Sequence, residues 1–192
     1  MRLLIGVLAL IASPLLLADQ QHTQAGADVR NSGQGYNGNF SLNQATGFNH
    51  QQANSRAISV GHGTDATTRV QQSLGQTTTP ATSVDASARI TGPSFSQGSG
   101  VLGINQSAGA ANQHSNALSI SVGAAPESLD DSVLSQTAAR TSVSGAAASE
   151  HGERVVEIDD DAFAGSRGVV QLNQSAGVGN RTANNLSIRV VE

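Results

Sequence analysis

The 192-residue sequence predicts an all-β fold, a repeat-built stack of β-arcs (a β-solenoid with a cross-β core) joined by flexible Ser/Thr/Gly/Ala-rich linkers. Three observations predict it. A 22-residue block occurs three times without a gap: NFSLNQATGFNHQQANSRAISV at 39–60, VLGINQSAGAANQHSNALSISV at 101–122 and VVQLNQSAGVGNRTANNLSIRV at 169–190. A repeat of this kind marks units that bury their apolar face only against one another. Within each block the apolar residues alternate, as in Leu102 and Ile104 and then Leu118, Ile120 and Val122, which is the period of a strand. Finally, large side chains are scarce: only 3% of residues are aromatic, and the first eighteen residues take 10 of the 43 Leu, Ile, Val and Phe. The remainder sits at the composition that borders on disorder, yet the formal net charge is only −4. Gly (21), Ala (27), Ser (24) and Asn plus Gln (29) fill the chain instead, a polar composition able to stack into β-structure.

In chain order, residues 1–18 read as a cleaved signal peptide. Arg2 supplies the positive start, Leu3 to Ala12 an unbroken apolar run, and Ala18 the small residue before the cut. The apolar run is too short for a membrane span and contains Ser13-Pro14. Residues 19–38 are expected to be a flexible segment. Repeats 39–60, 101–122 and 169–192 are expected to be strand, turn and strand, with turns such as Gly109-Ala110-Ala111-Asn112. The linker 61–100 carries a degenerate repeat at 70–90, where Val84, Ala86 and Ala88 align beneath Leu118, Ile120 and Val122. A fainter one lies at 133–149 within the linker 123–168, which also holds the acidic stretch Glu157 to Asp161. On this reading five units alternate between strong and degenerate.

The assembly core is expected at the positions the blocks share. These are Asn43, Gln44, Gly47, Asn54, Ile58 and Val60 in the first; Asn105, Gln106, Gly109, Asn116, Ile120 and Val122 in the second; and Asn173, Gln174, Gly177, Asn184, Ile188 and Val190 in the third. Identical polar residues gain most when stacked in register, so the motif Gln is expected beside the apolar residues, bonded to its copies along the stack.

Chemistry is absent from the pattern. There is no Cys, no GxSxG, no HExxH, no phosphate loop and no Ser, His and Asp set in the context of a triad, so no enzyme, cofactor, metal site or small-molecule substrate is expected. His50 and His114 fall near the turns of two blocks, but the third has Arg181 and Thr182 there. Asp159-Asp160-Asp161 lacks the spacing of a calcium loop. All ten basic residues are Arg and none cluster, which leaves no footprint for nucleic acid.

The run of apolar residue, Asn, Gln, two small residues, Gly, two residues and Asn at Ile104 to Asn112 and Leu172 to Asn180 resembles the repeats of bacterial functional amyloids. Three strong Asn/Gln repeats with two variable linkers resemble the Fap-type biofilm fibre subunits more than curlin. The resemblance covers about a third of the chain. It implies a secreted fibre subunit or nucleator, at the cell surface or outside it by way of the periplasm. The implied partners are copies of itself, homologous subunits and an outer-membrane export pore. The first repeat departs from the others in carrying Arg56 where they have Leu118 and Leu186. Asn54 to Gly61 is also similar to the head repeats of trimeric autotransporter adhesins, so a secreted β-solenoid adhesin stays open, as does a periplasmic helper that binds fibre subunits.

Overall fold

A computed structural model describes residues 23–73, 83–123, 137–138 and 152–191; the signal segment and all but two residues of the faint repeat at 133–149 lie outside the described residues. The described residues are strand and turn without helix. Eleven strands follow one another: β1 Thr23–Arg30, β2 Asn37–Phe48, β3 Gln51–Val60, β4 Gln71–Gln72, β5 Val84–Thr91, β6 Ser99–Ala110, β7 Gln113–Val122, β8 Thr137–Ala138, β9 Arg154–Ile158, β10 Arg167–Val178 and β11 Arg181–Val190.

Among the described residues all pairing is parallel, and no two consecutive strands pair. The sheets run β1-β5-β9, β10-β6-β2, β11-β7-β3 and β4-β8. Each strong repeat therefore gives one strand to a middle sheet and one to an outer sheet, with a two-residue turn between them. In the middle sheet Asn43 lies beside Asn105, and Asn105 beside Asn173; in the outer sheet Asn54, Asn116 and Asn184 do the same. The chain thus traces one path three times, at three levels: β1 to β4, β5 to β8 and β9 to β11. Level two lies between the others.

This corrects the five-unit alternation. Val84, Ala86 and Ala88 do not copy the second strand of a repeat; they begin level two, in β5, whose partners are β1 and β9. Gln71–Gln72 pairs instead with Thr137–Ala138. The segment 19–38, expected to be flexible, holds β1, and the acidic linker holds β9. The physical reason is the small side chain. Ala25, Ala27 and Val29 alternate with Gly26 and Asp28, as Ala86, Ala88 and Ile90 do with Ser87 and Arg89, and all six are buried. Alanine at every second position lets this first sheet lie close on the middle one, but it carries little of the apolar bulk from which a strand is read in sequence.

The apolar core fills the space between the first and middle sheets. Val29, Tyr36, Ile90, Phe95, Leu102, Ile104 and Ala162 form one buried cluster, with Leu42, Leu172 and Phe163 packed against it. At the corner leading into the middle sheet, Phe95 and Phe163 stack with ring centroids 5.6 Å apart and planes 15° from parallel. Their level-one counterpart is Gly33, against which the Phe95 ring lies so closely that a Cβ there would be 2.5 Å from it.

Candidate assembly surface

The space on the other side of the middle sheet, facing β3, β7 and β11, is built from amides. Asn105 Nδ2 donates to Asn43 Oδ1 at 2.9 Å, and Asn173 Nδ2 to Asn105 Oδ1 at 2.9 Å. Opposite them, Asn116 Nδ2 donates to Asn54 Oδ1 at 2.9 Å and Asn184 Nδ2 to Asn116 Oδ1 at 3.0 Å. The two columns also bond across the gap at every level, from Asn54 to Asn43, Asn116 to Asn105 and Asn184 to Asn173. Asn54, Asn105, Asn116, Asn173 and Asn184 further reach a carbonyl of the opposite strand, as Asn105 Nδ2 does at Ala53 O (2.8 Å) and Asn116 Nδ2 at Ile104 O (3.0 Å). Asn105 and Asn116 are fully buried. An amide in such a place is tolerated because every polar atom has a partner.

The motif glutamines lie on the apolar side. Leu102, Ile104 and Gln106 share a face, and Gln106 is inaccessible to solvent. Gln174 Nε2 donates to Gln106 Oε1 at 2.8 Å, and Gln106 Nε2 to Gln44 Oε1 at 2.9 Å. The same nitrogens bridge to carbonyls of the first sheet, Ala27 and Arg89 for Gln106 and Ala88 for Gln174.

The motif glycines have a geometric reason. Gly47, Gly109 and Gly177 have φ of 113°, 111° and 121°, and a Cβ at Gly109 would lie 2.1 Å from the carbonyl oxygen of Gly177. A second such column, Gly38, Gly100 and Gly168, was missed in the sequence although its spacing is the same. It stands one residue before each aligned block. Ile58, Ile120 and Ile188 align at the far end of the outer sheet, as do Val60, Val122 and Val190, but their surroundings are more open: Ile58 is 55% and Val60 74% exposed.

The turns carry a further amide pair. Asn112 Oδ1 accepts from both the backbone and the side chain of Asn180, at 2.9 and 3.1 Å, while its own Nδ2 donates to Ala108 O and Gly177 O. Level one has His50 at this place, 3.0 Å from Thr46 O and 3.3 Å from Ser107 Oγ. His114 is fully buried one level on, with Nε2 2.7 Å from Ser175 Oγ and Nδ1 without a partner. Burial, opposed by a backbone contact and aided by the nearby His50, pushes its pKa down to about 4, and burial lowers that of His50 as well. Among the described residues no three His, Cys, Asp or Glu come together as a metal site.

Arg56 occupies the column of Leu118 and Leu186, turned inward. Its guanidinium donates to Asn39 Oδ1, Ser41 Oγ and, at 2.9 Å, Phe40 O. It fits because the next level has Gly103 beneath it, where a Cβ would lie 2.2 Å from Nη2. Burial lowers its pKa.

Over the described residues the chain is all-β, with parallel, in-register copies of one Asn/Gln unit, which places it in the class of parallel, repeat-built β proteins. The family model of the functional amyloid protein FapB/FapC family matches residues 13–191, and the chain belongs to that family, one of amyloid proteins and not of enzymes. No solved structure matches it.

Proposed function

We propose that this chain is a secreted fibre subunit or nucleator of a biofilm matrix, a three-level β-solenoid that assembles by continuing its own stack from copy to copy. One observation carries the reading: the shared positions of the three blocks form unbroken columns, and among the described residues no further strand pairs with the outer level on either side. A further copy placed in register on either edge meets the same residues that neighbouring levels already offer one another, Asn over Asn, Gln over Gln and Gly over Gly. The edge strands of the middle and outer sheets are long, 10 or 12 residues each, and their only charged residues are Arg56, Arg167, Arg181 and Arg189. Membership of the functional amyloid family supports the same assembly, with homologous subunits as further partners. Export of the mature chain from residue 19 through an outer-membrane pore belongs to this reading.

Purified protein starting at Asp19 tests it. Fibres should form in a concentration-dependent, seedable manner and diffract at ~4.8 and ~10 Å. A stable monomer that melts cooperatively and cannot be seeded would refute the proposal.

A further inference from the structure

The amide columns all run the same way. From Gln174 to Gln106 to Gln44, from Asn173 to Asn105 to Asn43, from Asn184 to Asn116 to Asn54 and from Gln113 to Gln51, the side-chain nitrogen donates from level three toward level one. Nitrogen and oxygen are not interchangeable here. Gln106 Nε2 lies 2.8 and 2.9 Å from the carbonyl oxygens of Ala27 and Arg89, and Gln174 Nε2 lies 3.0 Å from that of Ala88. A carbonyl only accepts, so these partners decide which end of each amide is nitrogen.

The direction leaves a signature in the buried atoms that lack a partner. Among the described residues they include the Oε1 atoms of Gln113, Gln171 and Gln174 and no amide nitrogen. Gln174 is the level-three end of its column, and Gln113 is the last amide of its own because Arg181 follows it. Level three thus carries the acceptor ends of the Asn and motif-Gln columns. At level one Gln44 Nε2 uses a proton on Asp28 O at 3.0 Å and, as an amide, has a second to give.

We propose that the two ends of the stack recognise each other and not themselves: level one of one copy seats on level three of a second copy, so that the donor ends of the amide columns face the acceptor ends. This rests on the fibre reading and adds to it a direction. In that register Asn43 meets Asn173, Asn54 meets Asn184, Ile58 meets Ile188 and Val60 meets Val190, which covers apolar side chains that are 36% to 74% exposed in one copy. Two level-three ends brought together would oppose oxygen to oxygen. Two level-one ends would oppose nitrogen to nitrogen. The junction is therefore heterologous and does not close, which makes a filament with two different tips.

Two variants test it by blocking one end each without touching an amide contact: Ile58→Lys with Val60→Lys at level one, and Ile188→Lys with Val190→Lys at level three. Each alone should stay monomeric by light scattering. Mixed, they have one intact junction between them, so the mass should double and stop there. Added to growing wild-type fibres, they should arrest opposite tips. If either variant dimerises alone, like ends join and the proposal is overturned. It is equally overturned if wild type grows while the mixture gives no heterodimer and neither variant arrests a tip. Failure of wild type to form fibres at all would instead defeat the reading on which the proposal rests.

Discussion

The two sides of the middle sheet use opposite means of holding the same strands. Toward the first sheet lie Leu102, Ile104, Ile90 and Phe95, all within 1% of complete burial; between the middle and outer sheets lie Asn105, Asn116 and His114, buried just as deeply. Apolar contact is non-directional, so that side holds the sheets together without choosing a register. Amides are directional and costly when left unpaired, so the other side holds only one register and penalises every other. The apolar side is nearly complete within one chain. The Asn columns run through all three levels to both outer strands, where the proposed fibre would continue them.

The largest way to break this comparison is to put a charge in the amide side. Asn105→Asp sets a buried carboxylate oxygen against the acceptor oxygens of Asn43 and Ala53, and should cost about 3–5 kcal/mol. It is measured as the fall in denaturant resistance of the assembled protein, with recovery as pH drops toward the carboxyl pKa. On the apolar side, Ile104→Ala should cost about 3 kcal/mol through the cavity it leaves, yet the fibres that form should keep the wild-type diffraction. A changed register in that variant would remove the distinction between the two sides.

Acid sharpens the comparison from within the amide side. His114 is held neutral, with a pKa of about 4 against 6.5 in the unfolded chain, so the unfolded state takes up the proton first. Its stabilising effect is full above about pH 6.5 and is lost as pH falls toward 4, about 2–3 kcal/mol in all. Unfolding midpoints across that window should show the slope, and His114→Gln, which places an amide beside Gln52, should flatten it. The smallest effect is expected outside both spaces. Arg89 and Glu157 pair at 3.0 Å on the half-exposed outer face of the first sheet, and Arg89→Ala should cost under about 1 kcal/mol, less in high salt.

The amide side was legible in the sequence because identity is what it requires. Asn and Gln recur at fixed spacing since only a copy of the same amide can both accept from one neighbour and donate to the next. The first sheet needs only small size and alternation, and its columns differ in identity: Ala25, Ala86 and Arg154 align, as do Val29, Ile90 and Ile158. With no residue repeated through all three levels to reveal it, the sequence reading places β5 in a degenerate repeat and β1 in a flexible segment. His114 was equally unreadable, since Gln52 and Thr182 hold its column on either side and only burial gives it a role.

The claim that one chain supplies three levels has a direct measurement. Tyr36 is the only tyrosine, and it sits at the corner of level one with its carbonyl accepting from Ser99 N of level two at 2.7 Å. In fibres labelled with ¹³C at the tyrosine carbonyl, successive labels should be three strand spacings apart, ~14 Å, and show almost no dipolar dephasing in solid-state NMR. A label separation of ~4.8 Å would mean that each copy occupies a single level, and would contradict the stack described here.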